Sequence, residues 1–161
     1  MALGDIQYYE ISTAQLNGAK KANVAAASTS ILAGEPVSRA LGATVVTQMA
    51  TNKPVVATDF LVGIATSTSN QTASLAGTVD YLPLQPGVTY LINPKVPATF
   101  ATQTLYNALV GSRVLIDLTS GVFTLLAADG ATSGCVIMPL DLARYPGKVA
   151  FAFRLGVSDL S

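Results

Sequence analysis

Short apolar and β-branched runs alternate with turn-forming residues through the centre of the chain. Between Ile31 and Pro94 these runs are about four to eight residues long, and Gly, Pro, Asp and Ser separate them. This pattern predicts a small β-barrel or β-sandwich. The predicted strands are Ile31–Ala33, Pro36–Ser38, Thr44–Gln48, Val55–Val56, Phe60–Ala65, Gly77–Leu82 and Val88–Leu91.

After Pro97 the pattern predicts one short helix and then more strands. Within Thr99–Arg113, Leu105 and Leu109 are at helical spacing, and Gly111 is suited to end the helix. The strict alternation of Lys148–Arg154 predicts a half-buried strand at the end of the chain. Between them we expect a hairpin formed by Val114–Asp117 and Val122–Leu126, and a strand around Cys135–Met138.

Residues 1–30 differ in character and are predicted to form an N-terminal arm. The tract 22–30 is rich in Ala and Ser and has no single period, so a helix and an extended arm both remain open. A first barrel strand at Ile6–Ile11 is the alternative. The fold class is therefore mainly β, a small barrel or sandwich with one short helix and an extended arm. The β-rich domain spans residues 31–161, and a division into a barrel over 31–97 and a helix–hairpin lobe over 98–161 is a further alternative.

The composition favours contact with other proteins. Charged residues make up 11% of the chain, against about 25% in an average soluble domain. Ala, Thr, Ser, Val and Leu must therefore cover part of the surface. Nine basic residues balance nine acidic ones, which argues against nucleic acid or anionic lipid as a partner.

We expect neither membrane insertion nor secretion. The sequence contains no run approaching the ~20 apolar residues that cross a bilayer. Its N-terminal segment carries Asp5 and Glu10 and lacks the basic and apolar regions of a secretory signal.

The residue inventory predicts no catalytic, cofactor-binding or metal-binding residues. The chain has no His and a single Cys, which removes the usual general base and the usual zinc ligands. Calcium-loop and phosphate-loop motifs are also missing. Cys135 is predicted to be a small buried hydrophobe. We expect turn-forming and strand-end roles for the scattered aspartates Asp59, Asp80, Asp117, Asp129 and Asp141.

The segment Ser67–Ser74 reads as a polar loop or hairpin tip without a core-facing residue. It contains the acceptor pattern Asn70–Thr72 for glycosylation, but the expected lack of secretion argues against its use.

Four motifs together resemble a known family. They are AGEPV at Ala33–Val37, FLVGIA at Phe60–Ala65, GTVDYLP at Gly77–Pro83, and ALVGSRVLID at Ala108–Asp117. In this order, and with the hairpin and closing strand that follow, the chain resembles the decoration or cement proteins of tailed-phage capsids. The resemblance covers roughly residues 31–154.

The resemblance implies a virion protein that is made in the host cytoplasm and binds the outer surface of an assembled capsid. Proteins of this family commonly dock as homotrimers on the major capsid protein, often with an N-terminal arm. Tyr8, Tyr9, Lys20 and Lys21 are therefore our candidate contacts to the capsid or between copies. For the two lysines, a solvated turn is the alternative.

A receptor- or carbohydrate-binding module of a phage tail or fibre is the second hypothesis. Sugar sites usually stack a ring on exposed aromatic side chains. The chain has no Trp and is 7% aromatic, so the sequence favours the decoration protein.

Overall fold

The computed structural model describes residues 6–10, 18–58, 60–84, 88–127 and 130–154. These residues confirm the mainly-β prediction and the single short helix, α1 (Gln103–Leu109), which a 3₁₀ turn at Pro97–Phe100 precedes. The strands are β1 (Gln7–Glu10), β2 (Lys20–Val24), β3 (Pro36–Arg39), β4 (Val45–Gln48), β5 (Phe60–Ala65), β6 (Gly77–Pro83), β7 (Thr89–Ile92), β8 (Arg113–Thr119), β9 (Val122–Leu126), β10 (Cys135–Ile137) and β11 (Val149–Phe153).

The strands form a closed barrel and a second, open sheet. The barrel has the order β2-β4-β3-β5-β6, and the second sheet has the order β1-β7-β11-β10-β8-β9. Within the barrel, β2 pairs in parallel with β4, and the other pairings are antiparallel. Because β7 belongs to the second sheet, the change of sheet falls between Pro83 and Thr89, earlier than the division at residue 97 considered from the sequence.

Residues 1–30, predicted as an arm, contain two strands. β2 is a barrel strand, paired with β6 from Lys20↔Tyr81 to Val24↔Gly77. β1 pairs with β7, so a strand does form near Ile6–Ile11, but in the second sheet and not in the barrel. The hydrophobic pattern of β2 is weak in the sequence because Val24 is the only buried residue of this strand.

Two predicted strands are replaced by other structure. At Ile31–Ala33 the chain forms a turn, because Glu35 donates its backbone N–H to the Leu32 carbonyl (3.2 Å) and accepts the Leu32 N–H with its carboxylate (2.8 Å). In the Val55–Val56 segment, Val55 forms an isolated bridge with Ser133 instead of part of a strand.

β5 supplies both hydrophobic cores. Leu61 and Ile64 pack in the larger core, which the second sheet lines, whereas Val62 and Ala65 pack inside the barrel. The pairing with β3 shifts at Val62, because Gly63 lies opposite Val37 and Leu61 lies opposite Ser38. This bulge turns Leu61 and Ile64 to the same side. Burial on both faces explains why the strand reads as a continuous apolar run.

The pairing of β5 with β6 requires glycine at position 63. A Cβ atom there would lie 2.1 Å from the Leu82 carbonyl oxygen and 2.6 Å from Cδ2 of Tyr81. The two backbones approach too closely for any side chain. Alanine at this position therefore has to push the strands apart.

We expect Gly63→Ala to lower the free energy of unfolding by at least ~1–3 kcal/mol, because overpacking displaces backbone as well as side chains. Urea denaturation followed by circular dichroism measures the change. Gly18→Ala is the matched control, since a Cβ atom at Gly18 meets nothing within 4 Å, and its effect should stay within about 0.5 kcal/mol. Equal stability of the two variants would contradict the packing argument.

Candidate functional site

Two loops of the barrel lie at the same end. β2 ends at Val24 opposite Gly77, the first residue of β6. β3 begins at Pro36 opposite Ile64, near the end of β5. The β2–β3 loop and the β5–β6 loop therefore meet at one end of the barrel, and the start of β2 and the end of β3 lie at the other.

The two loops themselves contain no charged side chain. Residues 22–34 and 60–79 contain no Asp, Glu, Lys or Arg. We refer to the surface of residues 25–34 and 66–76 as the uncharged end. Leu75 is 68% exposed and Leu32 is 40% exposed within this surface. The exposed residues around them are Ala26, Ala27, Thr29, Ser30, Thr66, Thr68, Asn70, Thr72, Ala73, Ser74 and Ala76.

Hydrogen bonds join the two loops to each other. Ile31 donates its backbone N–H to Oγ of Ser69 (2.8 Å), and Ser69 donates its backbone N–H to the Ile31 carbonyl (2.8 Å). Nε2 of Gln71 donates to the carbonyls of Ser28 and Thr29 (3.2 Å each). Ser69 is buried, so the prediction that Ser67–Ser74 has no core-facing residue is wrong. Its hydroxyl is tolerated inside because it satisfies a backbone N–H.

The β5–β6 loop also folds back onto the start of β6. Oδ1 of Asn70 accepts the Thr78 N–H at 2.7 Å. A Cβ atom at Gly77 would lie 2.3 Å from the Gln71 nitrogen, so glycine is needed for this close approach. Both loops are therefore held in place before any partner binds.

The charged residues of the barrel strands lie at the opposite end and in β6, where Asp80 donates its N–H to Oγ of Ser67 at 3.0 Å and borders the uncharged end. Lys20 and Lys21 begin β2, and Arg39 ends β3. Nζ of Lys21 lies 3.7 Å from Oδ1 of Asp80, with the two side chains 65% and 42% exposed. An ion pair this exposed contributes little stability. Leu41, in the β3–β4 connection, is 86% exposed at this end.

The structure divides the four predicted contact residues between the two sheets. Tyr8 and Tyr9 belong to β1, where the backbone of Tyr8 lies opposite Tyr90 of β7. Lys20 and Lys21 are exposed residues of a barrel strand rather than parts of a solvated turn. Their contact with a capsid remains a prediction.

Asp117 is a buried residue that the sequence prediction assigned to the wrong role. It lies within β8, is 4% exposed, and links three segments of the chain. Oδ1 accepts from Oγ1 of Thr51 at 2.9 Å, and Oδ2 accepts from Oγ1 of Thr119 at 2.5 Å and lies 3.0 Å from Nζ of Lys95. Its function is to hold the barrel against the second sheet, because Thr51 follows the barrel strand β4.

Hydrogen bonding makes Asp117 a stable carboxylate. The hydrogen bond from Thr119 lowers the pKa of Asp117 most, and the bonds from Lys95 and Thr51 lower it further, against the opposing effect of burial. Oγ1 of Thr51 also accepts the Leu118 N–H at 3.0 Å. Lys53 and Ile116 exchange backbone hydrogen bonds of 3.1 and 2.6 Å beside this site.

Cys135, Asp80 and Asp141, which the structure describes, are buried or held in structural contacts. Burial raises the pKa of the Cys135 thiol well above its ordinary value, so the thiol stays protonated. Asp80 pairs with Lys21, and Asp141 accepts the Ala143 N–H in a turn. Asp59 and Asp129 lie outside the described residues. In the described ranges, no group of three or more His, Cys, Asp or Glu side chains is placed to hold a metal ion.

Neither of two surface grooves presents converging acid, base and nucleophile. One, of about 350 Å³, is lined by Pro, Ala, Phe, Leu and Gly residues, including Phe100 and Leu142. The other, of about 280 Å³, combines Arg39 and Lys53 with apolar and hydroxyl side chains.

In comparisons with known proteins, no family model, curated protein or solved structure matches this chain. No helix in the part of the chain that the structure describes has the length and apolar character needed to cross a membrane.

We expect acid to weaken the connection at Asp117. Its pKa in the folded chain lies below the ordinary value of 3.8, so the carboxylate stabilises the fold fully above that value. This contribution is lost as the pH falls from the ordinary value through the folded one. Asp117→Asn should lower the free energy of unfolding at pH 7 by roughly 1–3 kcal/mol and flatten its decline in acid.

Urea titrations of the wild type and Asp117→Asn between about pH 7 and 2 measure this dependence. Asp80→Asn is the control, because its ion pair is exposed and its loss should cost less than about 1 kcal/mol. An unchanged acid decline in Asp117→Asn would show that Asp117 does not make the expected contribution.

Proposed function

We propose that this chain is a decoration, or cement, protein of a tailed-phage capsid. One observation carries the proposal: a closed barrel presents, at one end, a surface without charge that is fixed by internal hydrogen bonds. When a protein partner covers such a surface, no charged side chain of the two loops has to be dehydrated, and little conformational entropy is lost. Both effects lower the free-energy cost of binding. These properties suit attachment to an assembled protein shell.

In this proposal the chain stabilises the head by bridging neighbouring major capsid subunits. Each docked copy adds an interface, and a specific interface buries about 1,000 Å² or more. A protein that binds the assembled shell better than free subunits shifts the equilibrium toward the shell. The same contacts, repeated over the surface, oppose the pressure of the packaged genome.

The partners are then the major capsid protein and further copies of this chain in a homotrimer. The chain is made in the host cytoplasm and resides on the outer surface of the virion. Neither nucleic acid, membrane nor a cofactor has a part in this function. The balanced charge of nine basic and nine acidic residues agrees with a protein partner.

Three of the four motifs that resemble the decoration proteins occupy neighbouring parts of the barrel, and the fourth, Ala108–Asp117, covers the end of α1 and most of β8 in the second sheet. AGEPV leads into β3, FLVGIA is β5, and GTVDYLP is β6, and these three strands are adjacent. The resemblance therefore lies in the scaffold. It supports a shared barrel and leaves the contact residues to be found from the surface.

The carbohydrate-binding alternative has less support. Tyr90, Tyr106, Phe123 and Phe151 are among the largest fully buried side chains, so these rings serve the core and are not available for stacking on a sugar. No exposed aromatic pair is seen in the described residues.

Co-sedimentation tests the proposal directly. Purified chain is mixed with empty heads of the phage that encodes it, and the mixture is centrifuged. In a separate measurement, size-exclusion chromatography of the chain without heads shows whether the 16.5 kDa chain forms a trimer. We expect saturable binding to heads, no binding to unassembled capsid protein, and a higher melting temperature of decorated heads. Failure to bind at about ten micromolar, a range where specific interfaces are normally occupied, would refute the proposal, and binding on a glycan array would favour the alternative.

A further inference from the structure

The barrel strands distribute charge unequally between their two ends. Lys20 and Lys21 begin β2 and Arg39 ends β3, away from the two loops. Asp80, which pairs with Lys21, donates its N–H to Oγ of Ser67 at 3.0 Å and therefore borders the uncharged end. The loops over 25–34 and 66–76 contribute apolar, hydroxyl and amide groups only. A surface rich in charge is well hydrated, whereas an uncharged one is more easily dehydrated.

Glu35 directly follows the loop of residues 25–34, but its carboxylate adds no exposed charge to the uncharged end. It is 1% exposed, and its Oε2 accepts the Leu32 N–H at 2.8 Å and Nε2 of Gln48 at 2.9 Å. The carboxylate therefore points inward and shapes the loop. The surface above it stays uncharged.

Leu75 is the apolar group that this surface presents most prominently. Oγ1 of Thr72 accepts the Leu75 N–H, and Thr72 donates its own N–H to the Leu75 carbonyl, both at 3.0 Å. Ala27 donates its N–H to the Thr72 carbonyl at 2.9 Å, which ties this turn to the neighbouring loop. The backbone of Leu75 is thus fixed while 68% of the residue is exposed.

We propose that the uncharged end, with Leu75 as its anchor, is the face by which this chain docks on the capsid shell. This inference rests on the proposed function. The occupant is a patch of the shell that is itself uncharged, because a charged patch would lose its hydration and find no counter-ion within residues 25–34 and 66–76. Leu41 and Arg39, in and before the β3–β4 connection, then lie away from the shell. This assignment places the main contact on the barrel loops and not on Tyr8, Tyr9, Lys20 or Lys21.

Leu75→Glu and Leu41→Glu form a matched pair to test the docking face. Both replace an exposed leucine by the same charge, but at opposite ends of the barrel. In co-sedimentation with empty heads, Leu75→Glu should weaken binding at least ~10-fold, because the new carboxylate is buried without a partner. Leu41→Glu should bind as the wild type does, to within about 3-fold.

Sizing and thermal melts of both variants accompany the binding assay. Ala73→Glu, at another exposed position of the uncharged end, replaces Leu75→Glu if the latter does not fold. Wild-type binding should change less than about 3-fold between 50 and 500 mM NaCl, because no phosphate or ion-pair contacts are made.

The outcomes separate the docking face from the function. Wild type that binds heads while Leu75→Glu binds equally well, or while Leu41→Glu alone is impaired, overturns the docking face and leaves the proposed function standing. A Leu75→Glu variant that changes its oligomeric state but still binds heads assigns this face to a second copy of the chain and also overturns it. Wild type that does not bind refutes the proposed function and, with it, this inference.

Discussion

The burial of β5 on both faces is the constraint on which the two-sheet architecture depends. Val62 faces the barrel core, and the bulge at this position allows Leu61 and Ile64 to face the second core together. A strand with one polar face would leave one of these cores open to water. Gly63 belongs to the same constraint, since the approach to β6 leaves no room for a Cβ atom. β5 is a strand of the barrel alone, but its side chains therefore complete both hydrophobic cores.

Hydrogen bonds of buried polar groups set the positions of segments that apolar packing alone does not determine. Asp117 connects the segment after β4 to β8 and to Lys95, and Glu35 shapes the turn before β3. A buried carboxylate is stable only when its oxygens are satisfied, so each of these groups selects one arrangement of its neighbours. Two of the nine acidic side chains are used in this way inside the fold.

The sequence predicted the structure well wherever a short stretch carries its own pattern. Phe60–Ala65 is a strand with the predicted bounds because burial on both faces makes every residue apolar. β2 was missed because Val24 alone is fully buried. Asp117 and Ser69 were missed for another reason: their partners Thr51 and Ile31 lie 66 and 38 positions away. The uncharged end likewise joins two distant stretches, and only the strand register brings them together.

The surroundings of Asp117 and Cys135 fix the protonation states of these two buried groups. A carboxylate whose pKa is lowered cannot serve as a proton donor near neutral pH, and a thiol whose pKa is raised is a poor nucleophile. Both shifts oppose the ones that catalysis would need. The hydrogen bonds that cause the first shift also make the scaffold rigid, and a rigid scaffold lowers the entropy lost on docking. In the proposed function, the same hydrogen bonds would therefore favour docking on the shell.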